Sequence, residues 1–331
     1  MSRYARQMQL PEMGNEGQSK LISAHILVVG AGGLAAPALQ YLVGAGIGQL
    51  TLIDADHVSH SNLHRQTLFR ETDSDAFKVD AATHTLNMLN SECKICPIRE
   101  ALTPANAYGL VSNADIVLDC ADSFAVSYIL SDICLETKTP LISASVLGFT
   151  GYVGGFCDAA PSLRAVFPDL PERAASCATA GVMGPVVGLI GSAQAQMSLN
   201  YILSLKPSPL GQMMTFDLRS FKSGSFRFDH APEPETTFGF ISQSDITDSD
   251  HVFELRDLAE APMAVAPHAT RMSVAEFKMQ TPVFDTNRRA IFTCRSGLRA
   301  WQAATHLHRY WSGKISLIAM GADPEIERHN S

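Results

Sequence analysis

The apolar positions of this chain fall into short runs separated by stretches of helical spacing. His25–Val29, residues 50–53, Ile116–Asp119 and residues 141–144 are runs of strand length, and Ala35–Ala45 has the spacing of a helix. Apolar runs of this length bounded by turn residues fit buried strands. Their alternation with helices between residues 21 and 145 predicts βαβ units around a mostly parallel sheet. From residue 148 to 157 the pattern becomes glycine-rich and β-like. Similar runs recur at 213–218 and 225–228, so antiparallel strands are expected to extend the sheet.

The most apolar long stretch, residues 182–205, is interrupted by Gln194, Gln196 and Asn200. It reads as a buried helix and not as a membrane span. Residues 158–181 carry Pro161, Pro168 and Pro171 without a sustained period and read as a long loop over the sheet. Residues 230–249 are polar and contain Pro232 and Pro234. They read as a linker between a first domain, 1–229, and a second, 250–331. If flexible, such a stretch would span roughly 25 Å root-mean-square.

Composition changes this picture little. Of the 331 residues, 46% are hydrophobic and 18% charged, as in an ordinary globular protein. The net charge of −8 argues against a general nucleic-acid binder. The first nine residues have no apolar core, and the seven cysteines are odd in number and scattered. Reduced thiols and a cytoplasmic location are expected.

Chemistry enters at Gly30-Ala31-Gly32-Gly33-Leu34-Ala35, which fits G-x-G-x-x-A between a strand and a helix. The glycines let backbone approach a phosphate, and the helix N-terminus supplies N–H groups and partial positive charge. Asp54, 24 positions after Gly30, is placed to accept a hydrogen bond from a ribose hydroxyl. This Rossmann-like signature suits NAD or FAD as well as a nucleoside triphosphate. Arg65, Lys78 and Asp122 separate the two. A triphosphate needs cations on its oxygens and a carboxylate for the bridging Mg2+, whereas a dehydrogenase needs no such set.

With these residues the sequence resembles the MoeB/ThiF/HesA family of adenylyltransferases, relatives of the ubiquitin-activating enzymes. The matching segments are Arg3-Tyr4-Ala5-Arg6-Gln7, the glycine loop, Asp54-Ala55-Asp56, Asn62-Leu63-His64-Arg65-Gln66, Lys78, Asp119-Cys120-Ala121-Asp122 and Cys177-Ala178-Thr179-Ala180-Gly181-Val182-Met183. The resemblance implies a fold of class α/β, a Rossmann-like and mostly parallel sheet extended by antiparallel strands. It implies ATP and Mg2+ as cofactors, with Gly30, Gly32, Gly33, Asp54 and Asp56 around the nucleotide. Asn62, Arg65, Gln66 and Lys78 would hold phosphates, and Asp122 would hold Mg2+. Arg6 would reach the ATP of the other subunit, which implies a homodimer. The implied substrate is the C-terminal glycine carboxylate of a small ubiquitin-like carrier protein ending in Gly-Gly. Cys177 matches a cysteine that in relatives can link to the carrier or assist sulfur release.

Many relatives hold zinc through two CxxC pairs. Here Ser162 and Ala165 stand where the first pair belongs, and residues 229–238 hold no cysteine, so no structural zinc is expected. The one CxxC, Cys93-Lys94-Ile95-Cys96, reads as two ordinary thiols. Ser123 replaces the asparagine that many relatives carry after Asp122.

The second domain contains Thr293-Cys294-Arg295-Ser296-Gly297-Leu298-Arg299-Ala300. A cysteine at a strand end, ahead of a helix, sits where amides and helix dipole lower a thiol's pKa. The loop suits a cysteine persulfide, and the segment resembles a small α/β rhodanese-like domain fed by a persulfide sulfur donor. The main expectation is adenylation followed by sulfur transfer to give a carrier thiocarboxylate. The alternatives are adenylation without sulfur, with a degenerate docking domain, and a nucleotide-binding module without turnover.

Overall fold

A computed structural model describes residues 3–170 and 181–321. Its main sheet has eight strands: β1 (His25–Val29), β2 (Gln49–Ile53), β3 (Lys94–Ile98), β4 (Ile116–Asp119), β5 (Leu141–Leu147), β6 (Thr150–Phe156), β7 (Gln212–Asp217) and β8 (Lys222–Arg227). The spatial order is β3-β2-β1-β4-β5-β6-β7-β8. Pairing is parallel from β3 to β5 and antiparallel from β5 to β8. The central strands are continuous apolar runs because helices cover both faces. β3 tolerates Pro97 because it is an edge strand.

The main-sheet helices are α1 (Gly14–Ser23), α2 (Ala35–Ala45), α3 (Lys78–Leu89), α4 (Pro104–Val111), α5 (Phe124–Thr137), the short α6 (Leu163–Val166) and α7 (Gly184–Ile202). The segment read as an irregular loop from 158 therefore contains a helical turn, which Ser162 caps by accepting from the Ala165 N–H. The expected buried helix is α7, and its interrupting Gln194 is fully buried. The Gln194 amide donates to the carbonyls of Asp119, at 2.7 Å, and Ile142, at 3.0 Å. A polar residue in an apolar helix thus clips α7 to the ends of β4 and β5. Cys93, Cys120 and Cys134 are buried, and burial pushes the Cys93 thiol up to about 11.

A second, five-stranded parallel sheet has the order β11-β10-β12-β13-β9. Its strands are β9 (Gly239–Phe240), β10 (His251–Glu254), β11 (Thr270–Arg271), β12 (Ala290–Cys294) and β13 (Ile315–Ala319), with helices α8 (Val274–Gln280) and α9 (Leu298–His308). The stretch expected to be a linker supplies β9, and Phe238 just before it is buried. That stretch is held at both ends. Ser162 donates from Oγ to Glu233 at 2.5 Å and from its N–H at 2.7 Å. A carboxylate and a helix cap thus join the segment at 162 to the segment at 233.

The two sheets share one buried apolar cluster, which runs from Leu27 and Phe156 through Tyr128 and Phe238 to Trp301 and Leu317. This docking differs from the free tether suggested by the polar composition of 230–249. Domains that share a core melt together. Scanning calorimetry should therefore show one unfolding transition, and two resolved transitions would contradict the shared core.

Candidate functional site

The strand order places β1 beside both β2 and β4, so the connections leave β1 in opposite directions. Open α/β sheets bind ligands at the carboxyl ends of strands where the order reverses. Here three such ends meet: the glycine loop after β1, Asp54 after β2, and residues 119–122 after β4.

Gly30 has φ +91°, and a Cβ there would lie 2.8 Å from the Cys120 carbonyl oxygen. Only glycine lets the loops after β1 and β4 touch in this way. The loop then turns into α2, where a Cβ on Gly33 would lie 2.8 Å from Val187 of α7 and 3.6 Å from Arg65. At Gly32 the space is open, the nearest atom to such a Cβ being Gln66 Nε2 at 3.8 Å. Arg65 and Gln66 are thus brought beside the cradle. Their segment follows a 3-10 turn at His60–Asn62, whose Asn62 carbonyl accepts the N–H groups of both. Arg65 Nη1 reaches the Ser61 carbonyl at 3.3 Å and lies 2.9 Å from His64 Nε2. Gln66 is buried, and its Oε1 has no hydrogen-bond partner among the described residues.

Asp54 is half-buried and accepts the Ala31 N–H at 2.6 Å and the Asp56 N–H at 2.7 Å. It thereby ties the end of β2 to the glycine loop. Burial raises its carboxyl above the usual value, against the pull of Lys78 and the Ala31 N–H. Lys78 is buried at the start of α3 and pairs with Asp56 at 2.7 Å. Asp122 is exposed, immediately before the α5 cap residue Ser123.

Asp119 lies beneath Asp122, and a carboxylate closing an apolar strand is its signal in the sequence. It is fully buried, accepts from Ser143 Oγ at 2.8 Å and from the Ala121 N–H at 3.2 Å, and so holds the loop that carries Asp122. Burial pushes its carboxyl up to about 6.

Arg6 stands exposed before a short 3-10 helix, Gln7–Gln9. Its arm is pinned elsewhere. Gln7 donates to the Ala45 carbonyl at the far end of α2, and Tyr4 donates to Glu92. The eleven residues of α2 lie between that anchor and the cradle, a length of about 16 Å. Cys177 lies outside the described residues.

Cys294 ends β12 with its side chain buried, and the Ala300 N–H donates to its Sγ at 3.4 Å. The expectation of a lowered pKa is corrected here. Burial raises the thiol above its ordinary value, outweighing the loop amides and Arg299. Arg299 is committed to Glu260 at 2.5 Å and to the Leu255 carbonyl at 3.0 Å. Arg295 is exposed.

This is the geometry of a nucleotide-binding α/β protein, with a glycine cradle at the sheet's switch point. The chain belongs to the ThiF family, whose model matches residues 4–237. The adenylyltransferase and sulfurtransferase MOCS3 of Bos taurus is 44% identical over 223 residues, covering 65% of this chain and 48% of that protein. The adenylyltransferase and sulfurtransferase uba4 of Aspergillus terreus is 37% identical over 301 residues, covering 85% of this chain and 61% of that protein. The chain spans about half the length of the curated relatives it matches. Among solved structures, E. coli MccB is similar with a TM-score of 0.62 and 21% identity, over 73% of this chain and 75% of that one. That likeness establishes fold alone. No helix among the described residues is long and apolar enough to cross a membrane.

Because the folded-state value of Asp119 lies above the ordinary carboxyl range, the native state keeps a proton that the unfolded chain has already released. Stability should therefore fall as pH rises from about 4 to about 6, by up to about 3 kcal/mol. Denaturant titrations at pH 4 and 7 should show that loss in the wild type and not in Asp119→Asn. Parallel pH dependence in the two proteins would contradict it.

Proposed function

We propose that the chain uses ATP to adenylate the C-terminal glycine carboxylate of a small ubiquitin-like, β-grasp sulfur-carrier protein ending in Gly-Gly. The activated carboxylate then receives sulfur to become a thiocarboxylate. The observation that carries this reading is the packing of the Arg65–Gln66 segment onto the glycine cradle at the switch point. Membership of the ThiF family and the relatives named adenylyltransferase and sulfurtransferase support it.

In this reading the open face of Gly32 admits phosphate, and Asp54 accepts from the ribose. The orphaned Gln66 carbonyl and the Lys78–Asp56 pair fit a site whose polar groups meet a polar ligand. Arg65, Lys78, Asn62 and Gln66 hold phosphate oxygens. Asp122 would hold the Mg2+ that neutralises phosphate charge. The carrier carboxylate, already ionised near pH 7, attacks the α-phosphorus of ATP and pyrophosphate leaves. No general base is needed. The acyl-adenylate then has AMP as its leaving group in place of oxide. Positioning and charge neutralisation supply most of the catalysis.

Arg6 acts in this reading on the partner subunit's nucleotide, which fits an arm pinned at the opposite end of α2 from its own cradle. Cys294 carries the persulfide taken from a sulfur donor, and Cys177 is assigned to carrier attachment or sulfur release. A cytoplasmic setting belongs to this reading, since six cysteines of the described residues are free thiols. In this reading residues 1–229 carry adenylation and residues 250–331 carry sulfur transfer, with 230–249 joining them. One observation favours a second reading, adenylation without sulfur transfer: the Cys294 thiol is buried and kept protonated.

Asp122→Ala should remove carrier-dependent ATP–pyrophosphate exchange, and undiminished exchange in the pure variant would sink the Mg2+ assignment. Cys294→Ala should keep exchange but lose thiocarboxylate formation from thiosulfate or a sulfurtransferase. Mass spectrometry reads that product as a gain of about 16 Da on the carrier when sulfur replaces oxygen in the carboxylate activated for transfer. Thiocarboxylate made by Cys294→Ala at the wild-type rate with the same donor would show that Cys294 is not the sulfur carrier and would favour a docking role for the second domain. Free sulfide must be excluded from the assay, because it attacks an adenylate directly.

A further inference from the structure

Cys294 and Asp122 lie 172 positions apart in sequence, yet the structure brings their loops together. Gly297, three residues after Cys294, has φ +85° and packs so closely that a Cβ there would lie 2.9 Å from Phe240 and 3.5 Å from Ala125. Ala125 is in the first turn of α5, three residues after Asp122. The carboxyl end of β12 therefore meets the carboxyl end of β4 within one chain.

A buried arginine holds this arrangement. Arg164, in α6, is 2% exposed. It grips Asp132 of α5 with Nε–Oδ1 at 2.5 Å and Nη2–Oδ2 at 2.8 Å, and donates from Nη2 to the Phe238 carbonyl at 3.3 Å. Its guanidinium lies 4.2 Å from the centre of the Tyr128 ring and 5.6 Å from that of Trp301. Tyr128 belongs to α5 and Trp301 to α9, the helix that follows the cysteine loop. Phe238 closes the group with its ring centre 5.2 Å from that of Trp301. One cation thus joins α5, α6, α9 and the strand-forming segment at 238–240.

We propose that Arg164 is a positioning residue for sulfur transfer: it docks the second sheet with the Cys294 loop against the first turn of α5, so that Cys294 serves the adenylate at Asp122 of its own chain. The proposal rests on the adenylation and sulfur-transfer reading above. The terminal sulfur of the Cys294 persulfide attacks the carrier's C-terminal carbonyl carbon. A C–S bond forms, the C–O bond to AMP breaks, and AMP leaves with the electron pair. The product is an acyl disulfide on Cys294. A second thiolate, supplied in the assay by dithiothreitol, attacks the Cys294 sulfur. It forms a mixed disulfide there and releases the carrier thiocarboxylate, its own proton having gone to solvent. With the domains docked, only the Cys294 loop has to open for this exchange.

The test co-expresses an Asp122→Ala chain and a Cys294→Ala chain under different tags and purifies pairs carrying both. Pyrophosphate exchange by the Cys294→Ala chain and persulfide on Cys294 of the Asp122→Ala chain are measured first. A wild type lacking either activity would defeat the underlying reading, not this proposal. With both present, the mixed pair should make thiocarboxylate from thiosulfate no faster than either variant alone. A rate near the about one-half of wild type expected from one complete cross-chain site would overturn the proposal. If no paired species forms, the same comparison is made with the two chains mixed at equal concentration, and restored transfer again overturns it.

Arg164→Met supplies a second reading. It should leave exchange and persulfide loading within about twofold and lower thiocarboxylate formation at least about tenfold, because docking sets the effective concentration of one group at the other. An unchanged transfer rate in a folded Arg164→Met protein, with tryptophan fluorescence shifted to the red by undocking, would overturn the positioning role. If this variant does not fold, the paired-chain experiment decides alone.

Discussion

The contact between Gly30 and the Cys120 carbonyl is the constraint on which the rest of the site depends. It fixes how closely the loops after β1 and β4 approach at the point where the sheet reverses its order. A side chain at position 30 would push these loops apart and open the cradle. With them in contact, Asp54 can accept the Ala31 N–H from the next strand, and Asp119 can brace the loop beneath Asp122. Gln194 closes the same corner from above by donating to Asp119 and Ile142. Asp119 and Gln194 are fully buried and Asp54 half-buried, each tied to backbone, so the functional loops rest on satisfied hydrogen bonds.

The seam between the sheets follows different physics. Burying an arginine is costly unless its charge is paired and its donors are used. Arg164 pairs its charge with Asp132, the Phe238 carbonyl and two aromatic faces, contributed by elements of both sheets, while its buried Nη1 has no hydrogen-bond partner among the described residues. Ser162, two residues earlier, adds a second tie through Glu233. Hydrogen bonds and an ion pair thus join the segment at 162–164 to α5 and to the stretch at 233–238. The polar composition of residues 230–249, which suggested a free tether, is used instead to bind that stretch down at both ends.

Cys294 shows how one element carries opposing effects. The loop amides and the helix behind it lower the thiol's pKa, as the sequence pattern anticipated. Enclosure raises it by more, because a thiolate loses its water in a buried site.

The main sheet's order of elements, the glycine cradle, and the spacing of Asp54, Arg65, Gln66, Lys78 and Asp122 were legible in the sequence. Each is local: apolar runs set strands, helical spacing sets helices, and glycines mark the turn that phosphate needs. The helix Ala35–Ala45 and the strand Ile116–Asp119 could be read to the residue for this reason. What local pattern could not carry was decided by packing. The strand at Gly239–Phe240 has only two residues and forms because β13 offers it an edge. Gln194 looks like an interruption of an apolar run until the fold sets it against Asp119 at the end of β4. Arg164 carries no signal in its local sequence, and it is a buried junction because two sheets bring Asp132, Tyr128 and Trp301 around it. The sequence by itself determined which chemistry the chain can hold. The tertiary structure decided how that chemistry is arranged, because burial and long-range pairing depend on partners that no short stretch of sequence contains.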